Sequence, residues 1–266
     1  MTGDRGAGAP GVIVEHRGSI AILRLAHGKA NAMDIEFCNA IAGRVGECGR
    51  DTAVAAILIT GRGQIFSAGV DLVRLVDGGA AYVRAFLPAL SGSLEAVFGC
   101  AKPVVAAVNG HAIAGGCILA CAADYRAMGR GAGRIGIPEL IVGVPFPIVP
   151  IEIMRFVAPA NRLQQWIYGG VTFDADAALA TGLVDAAVDA DRLESDALAA
   201  AERMGKLPAT AFALTKRRLR EPALERMRSA AALDADARSA WESPETLAAV
   251  RGYVERTLKK GSVTEK

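Results

Sequence analysis

The segment 102–124, K-P-V-V-A-A-V-N-G-H-A-I-A-G-G-C-I-L-A-C-A-A-D, constrains the fold more than any other stretch of the chain. Residues 103–108 form a short run rich in β-branched side chains that stops at Asn109-Gly110, the pattern of a buried strand. From Gly115-Gly116 onward the residues are apolar on every side, so the helix that opens there is buried all round. Its first NH groups have no intrahelical partner and stand at the positive end of the helix dipole, where a negatively charged oxygen is stabilised. Glycine leaves room for that oxygen to approach. The same small residues equally suit close packing of helix on sheet, so the segment by itself fits both readings.

The order of elements around this segment indicates crossover units. Residues 12–15 and 20–25, separated by Arg17-Gly18, alternate in character as a hairpin at a sheet edge. Asp34 can cap a helix running to about Arg50. Residues 54–60 form a buried strand, and the turn Gly61-Arg62-Gly63 leads to a second glycine loop, Ile65-Phe66-Ser67-Ala68-Gly69-Val70-Asp71. A helix is expected over 80–100, a strand over 125–128, and a helical run to about Val157 after three closely spaced prolines. Right-handed crossovers of this type stack mostly parallel strands with helices outside, and sites gather in the loops that follow strands. Beyond about Ala160 the pattern is almost wholly helical: 161–168, 174–181, 191–206, 208–220, 222–241 and 244–260, several opening with Pro. This tail carries more charge, which points to packing and self-association.

Composition narrows the functional classes. The chain is long enough, at 266 residues, to bury a large apolar core, and its 52% hydrophobic but only 5% aromatic content suits a helix-rich α/β protein packed through small side chains. A net charge of +2, without a basic stripe interleaved with aromatics, argues against a nucleic-acid surface. Five cysteines, an odd number with no CxxC, point to thiols in a reducing compartment. Cys117 and Cys121 share a helix face, but no neighbouring His, Cys or carboxylate completes a metal site. No apolar run is long enough to span a membrane, and residues 1–10 look like a flexible arm rather than a signal segment. A cytoplasmic protein is the expectation.

Two glycine loops that follow strands can present backbone NH groups to one carbonyl oxygen, forming an oxyanion hole for the charge that develops when an adjacent C–H is deprotonated. Such a donor is typically worth roughly 10²- to 10³-fold in rate. The chemistry still needs a base. Glu139 is a lone charge among Ile135, Ile137, Leu140 and Ile141, a setting that raises a carboxyl pKa toward neutrality, where proton transfer is efficient. Read without further context, it is also compatible with a glutamate on a surface loop.

These segments resemble the crotonase superfamily, the enoyl-CoA hydratase/isomerase family, over residues 13–188 and more loosely through the tail. Phe66-Ser67-Ala68-Gly69-Val70-Asp71-Leu72 resembles the family's first oxyanion loop, and Asn109-Gly110-His111-Ala112-Ile113-Ala114-Gly115-Gly116-Cys117 its second. Pro138-Glu139-Leu140 resembles the segment bearing the second catalytic glutamate, and Ala178-Leu179-Ala180-Thr181-Gly182-Leu183-Val184 the A-x-x-x-G-L-V signature. The resemblance implies an α/β, ββα-superhelical spiral core over 11–190 and a C-terminal helical trimerisation region over 191–266. It implies a coenzyme A thioester as substrate, no separate cofactor and no metal. It places oxyanion donors at Ala68 and Gly115 and an acid/base at Glu139. Substrate contacts are expected at Lys29, Ala30 and Ala32 for the nucleotide, and at Ala68, Gly69, Val70, Asp71, Gly115, Gly116 and Ile118. It also implies a homotrimer or a dimer of trimers, with tail helices between subunits and closing a neighbour's site, and an acyl pocket drawn from the 80–100 helix and the tail. No nucleic acid or membrane partner is expected.

Two departures matter. Hydratases of the family carry a glutamate two residues after the second glycine, where this chain has Ile118, and their P-G-x-G-G stretch is replaced by Val144-Pro145-Phe146-Pro147-Ile148-Val149-Pro150. Two-glutamate hydration lacks one of its acids here. A single carboxylate suffices to move a proton from C2 to C4 of a 3-enoyl thioester. Δ3,Δ2-enoyl-CoA isomerisation is therefore the favoured reading. The alternatives are hydration, dehydration or decarboxylation with one acid, and an acyl-CoA-binding protein without catalysis.

Overall fold

The computed structural model describes residues 11–261. The expected arm, residues 1–10, lies outside them. A six-stranded sheet runs in the order β1 (Gly11–Arg17), β2 (Ile20–Ala26), β3 (Ala56–Gly61), β5 (Val104–Val108), β7 (Tyr125–Gly129) and β10 (Ala186–Val188). The hairpin β1–β2 is antiparallel and stands at the edge; every later pairing is parallel. A smaller sheet holds β4 (Ile65–Ser67), β6 (His111–Ile113), β8 (Ile135–Gly136) and β9 (Thr172–Phe173). Each of β3, β5 and β7 passes into a strand of the smaller sheet and then into a helix: α2 (Leu72–Phe98), α3 (Gly115–Cys121) and α4 (Glu139–Val142). That repeat of strand, strand and helix is the expected spiral.

The strands read as continuous apolar runs because both faces of the large sheet are covered. On β5, Val104, Ala106 and Val108 enter the main core, while Val105 and Ala107 turn to the opposite face with Ile20, Ile22 and Leu58. That second face is roofed by Leu193, Ala197 and Ala201 of α8 (Leu193–Gly205). A division at residue 190 thus falls just before a helix that belongs to the sheet's packing. The remaining helices are α1 (Ile35–Arg50), α5 (Ile148–Val157), α6 (Leu163–Gly169), α7 (Ala175–Thr181), α9 (Ala209–Ser229), α10 (Ala231–Glu242) and α11 (Pro244–Gly261). All five cysteines are free and buried.

Two helices differ from expectation. α2 begins at Leu72, capped by the Asp71 carboxylate, and kinks at Gly79 (φ 59°), so the Gly78-Gly79 pair hid its first two turns. α9 continues through Pro222, which was expected to open a separate helix. Its path is set by two buried cations: Lys216 Nζ donates to Asp124 Oδ2 at 2.6 Å, and Arg220 Nη2 to Asp124 Oδ1 at 2.7 Å. Arg220 also lies over the Phe98 ring. With its charged face turned inward, α9 leaves Leu214 and Leu219 exposed.

Candidate active site

The loop 65–71 is stitched to the loop 27–33 by a short backbone ladder. Met33 N donates to Gly69 O at 2.7 Å and Asp71 N to Met33 O at 3.0 Å, while Asn31, in the left-handed region (φ 48°), donates from Nδ2 to Phe66 O. The NH of Ala68 donates to Ala30 O at 3.0 Å. That donor, expected to serve an oxyanion, is already engaged. Successive peptides of an extended segment turn their NH groups to opposite sides, so Val70 NH faces away from Met33. It finds no acceptor among the described residues, and Val70 lines a cavity.

The second loop meets the first at Gly69, whose φ is 83° and where a Cβ would stand 2.5 Å from Ile113 O and 3.3 Å from Gly115 N. Only glycine permits that approach. Ala114, at φ 52° and ψ −124°, holds a strained backbone for a residue with a Cβ, anchored by its NH to Gly136 O at 2.8 Å. This turn starts α3 with the Gly115 NH free of any acceptor among the described residues. Gly116 packs so closely on the first loop that a Cβ would lie 2.4 Å from Ser67 O.

Glu139 begins α4, following Pro138, and is buried. Its Oε2 has no hydrogen-bond partner. Burial pushes its pKa up to about 8, against a smaller lowering from its own backbone NH. A cavity of about 130 Å³ brings together Ala68, Val70, Gly115, Ile118 and Glu139, and Glu139 carries the only carboxyl among its lining residues. Leu90 and Leu94 of α2, Phe146, Trp241 of α10 and Tyr253 of α11 close the rest. The helix expected over 80–100 and the tail do supply this wall. Within the chain, α10 and α11 pack on α2, where Trp241 is buried and Tyr253 half-buried. Trp241 was not among the expected contacts; a tryptophan within a charged helix was the available signal.

The remaining expected contacts lie around this cavity. Asp71 is engaged in capping α2, its Oδ1 accepting from Arg74 N at 2.9 Å. Lys29, exposed, sits with Ala30 and Ala32 in the adjoining loop and does not line the cavity. Among the described residues no cluster of three His, Cys, Asp or Glu side chains could hold a metal ion, and no helix is long and apolar enough to cross a membrane.

A protein-family model described as enoyl-CoA hydratase/isomerase matches residues 15–260. A probable enoyl-CoA hydratase of Mycobacterium tuberculosis is 33% identical over 198 residues, 74% of this chain and 75% of its own. Among solved structures, a probable enoyl-CoA hydratase of Mycobacterium tuberculosis shares 32% identity at a TM-score of 0.77, covering 82% of this chain and 92% of its own. Human mitochondrial Δ3-Δ2-enoyl-CoA isomerase superposes with a TM-score of 0.90 over 94% of this chain and 99% of its own, at 23% identity, a likeness of fold alone.

Proposed function

The chain belongs to the enoyl-CoA hydratase/isomerase family, and we propose that within it this protein shifts the double bond of a 3-enoyl-CoA to the 2-position. One observation carries the reading: the cavity holds a single carboxyl, Glu139, with an unpartnered oxygen, and an apolar side chain at Ile118 where a hydratase would place its other acid. The thioester oxygen accepts from the free NH groups of Val70 and Gly115, in place of the pair Ala68 and Gly115 expected from sequence. Ionised Glu139 takes a proton from C2, the charge spreads over a dienolate held by the two NH groups, and the same carboxyl returns the proton at C4. One C–H bond breaks and one forms, so no redox group or metal is required, and coenzyme A enters as part of the substrate. Lys29, Ala30 and Ala32 edge the surface nearest the nucleotide. The exposed Leu214, Leu219 and Tyr168 support a trimer or dimer of trimers, and the five buried thiols suit a reducing compartment such as the cytoplasm.

Hydration with one acid is the second reading, favoured by the hydratase names that recur among relatives of this chain. Two substrates separate the two. A 3-enoyl-CoA should gain conjugated enoyl absorbance on addition of the protein, and crotonyl-CoA should keep it. Glu139→Gln should lower isomerisation by about 10²- to 10⁴-fold while thioester affinity stays within a few-fold. An unchanged rate in that variant removes Glu139 as the base, and rapid loss of crotonyl-CoA absorbance establishes hydration instead.

A further inference from the structure

Two cavities flank the contact between α2 and α10. The one that holds Glu139 uses Leu90 and Leu94 of α2 and Trp241 of α10; the other, about 210 Å³, uses Leu87, Pro88 and Ser91 of α2 and Asp234 and Arg238 of α10, with the Asp234 carboxylate already accepting from Ile148 N at 2.8 Å. Leu87 and Ser91 lie on the stripe of α2 next to Leu90 and Leu94, and Arg238 precedes Trp241 by one turn of α10. Pro147 lines both spaces, so at that point one residue separates them. Trp241 is only 2% exposed, and its Nε1 donates to Pro145 O at 2.7 Å. That bond ties the ring to the proline-restricted segment that forms the partition, and it uses the indole's single polar group.

Taking the first cavity as the acyl site of a coenzyme A thioester, on which this inference rests, we propose that Trp241 is its end-stop. The ring limits the protein to short hydrocarbon acyl groups, and the second cavity is a closed-off extension that receives the distal carbons of longer chains once the ring is removed. The lining supports a hydrocarbon ligand: beyond Glu139 the side chains are apolar apart from the Tyr253 hydroxyl and an indole NH that is already bonded. A polar substituent on the chain would be desolvated without a partner over most of this surface.

The test uses saturated acyl-CoA thioesters of increasing length, which bind without turnover, titrated calorimetrically against the full-length protein. Affinity in the wild type should rise about fourfold per added methylene and stop rising at a defined length. In Trp241→Ala the rise should continue for at least two further methylenes, and Trp241→Phe should give a smaller extension. Ser91→Phe added to Trp241→Ala should fill the second cavity and restore the wild-type limit. A Trp241→Ala protein that binds short thioesters normally but keeps the wild-type limit overturns the end-stop, and if that variant fails to fold, an unmoved limit in Trp241→Phe does the same. An extension that persists in the double variant overturns the role of the second cavity. Absence of binding at every length in the wild type overturns the thioester reading itself, a result distinct from an unmoved limit.

Discussion

At the scale of the residue, Glu139 joins stability to activity. Its pKa of about 8 is produced by burial, so near neutrality most molecules carry it protonated, and proton abstraction draws on the ionised minority. The kcat/KM for isomerisation should therefore climb with pH through about 8 and level off above it, as read from initial rates on a 3-enoyl-CoA; a flat profile from pH 6 to 9 contradicts this. The unfolded chain releases the same proton near 4.5. Below that value both states are protonated; between 4.5 and about 8 the unfolded state ionises first, so folding stability falls as pH rises through this window. Glu139→Gln removes that loss, and its melting temperature should exceed the wild type's by more at pH 8 than at pH 5. Glu139 was legible in the sequence because a lone charge among isoleucines stands out. The donor of the first loop was not: which NH is free depends on Met33 pairing with Gly69 and Asp71, and no local pattern encodes a pairing between distant segments.

At the scale of the element, α9 shows how tertiary contacts override local signals. Pro222 lacks a backbone NH and would ordinarily break or kink a helix, yet the helix continues, secured just before the proline by Lys216 and Arg220 against Asp124. Asp124 also accepts from Val104 N at 2.8 Å, so one carboxylate ties the central strand to the tail. Asp124→Ala leaves two buried cations without their counter-ion and should cost about 3–5 kcal/mol in urea unfolding. A loss under about 1 kcal/mol would mean that water reaches Lys216 and Arg220. The start of α2 escaped the sequence for a related reason: Asp71 looked like a ligand contact in a glycine loop, and only its bond to Arg74 N reveals a helix cap.

At the scale of the whole molecule, the inward charges of α9 leave a leucine face, Leu214 and Leu219, that nothing among the described residues covers. If that face joins subunits, wild-type protein sediments as a trimer or a dimer of trimers, and Leu214→Glu with Leu219→Glu sediments as a monomer that keeps its circular dichroism; a monomeric wild type ends the proposal. The sequence by itself determined the crossover order of strands and helices, the two glycine loops and the isolated Glu139, because apolar period, turn chemistry and a misplaced charge are properties of neighbouring residues; the spiral was implied by the family resemblance. The tertiary structure decided which NH groups remain free, that Asp71 caps a helix, and that Trp241 and Tyr253 close the cavity over their own chain. Each of these depends on partners brought together from distant parts of the sequence, where the cost of burying an unpaired polar group or exposing a large ring selects one arrangement.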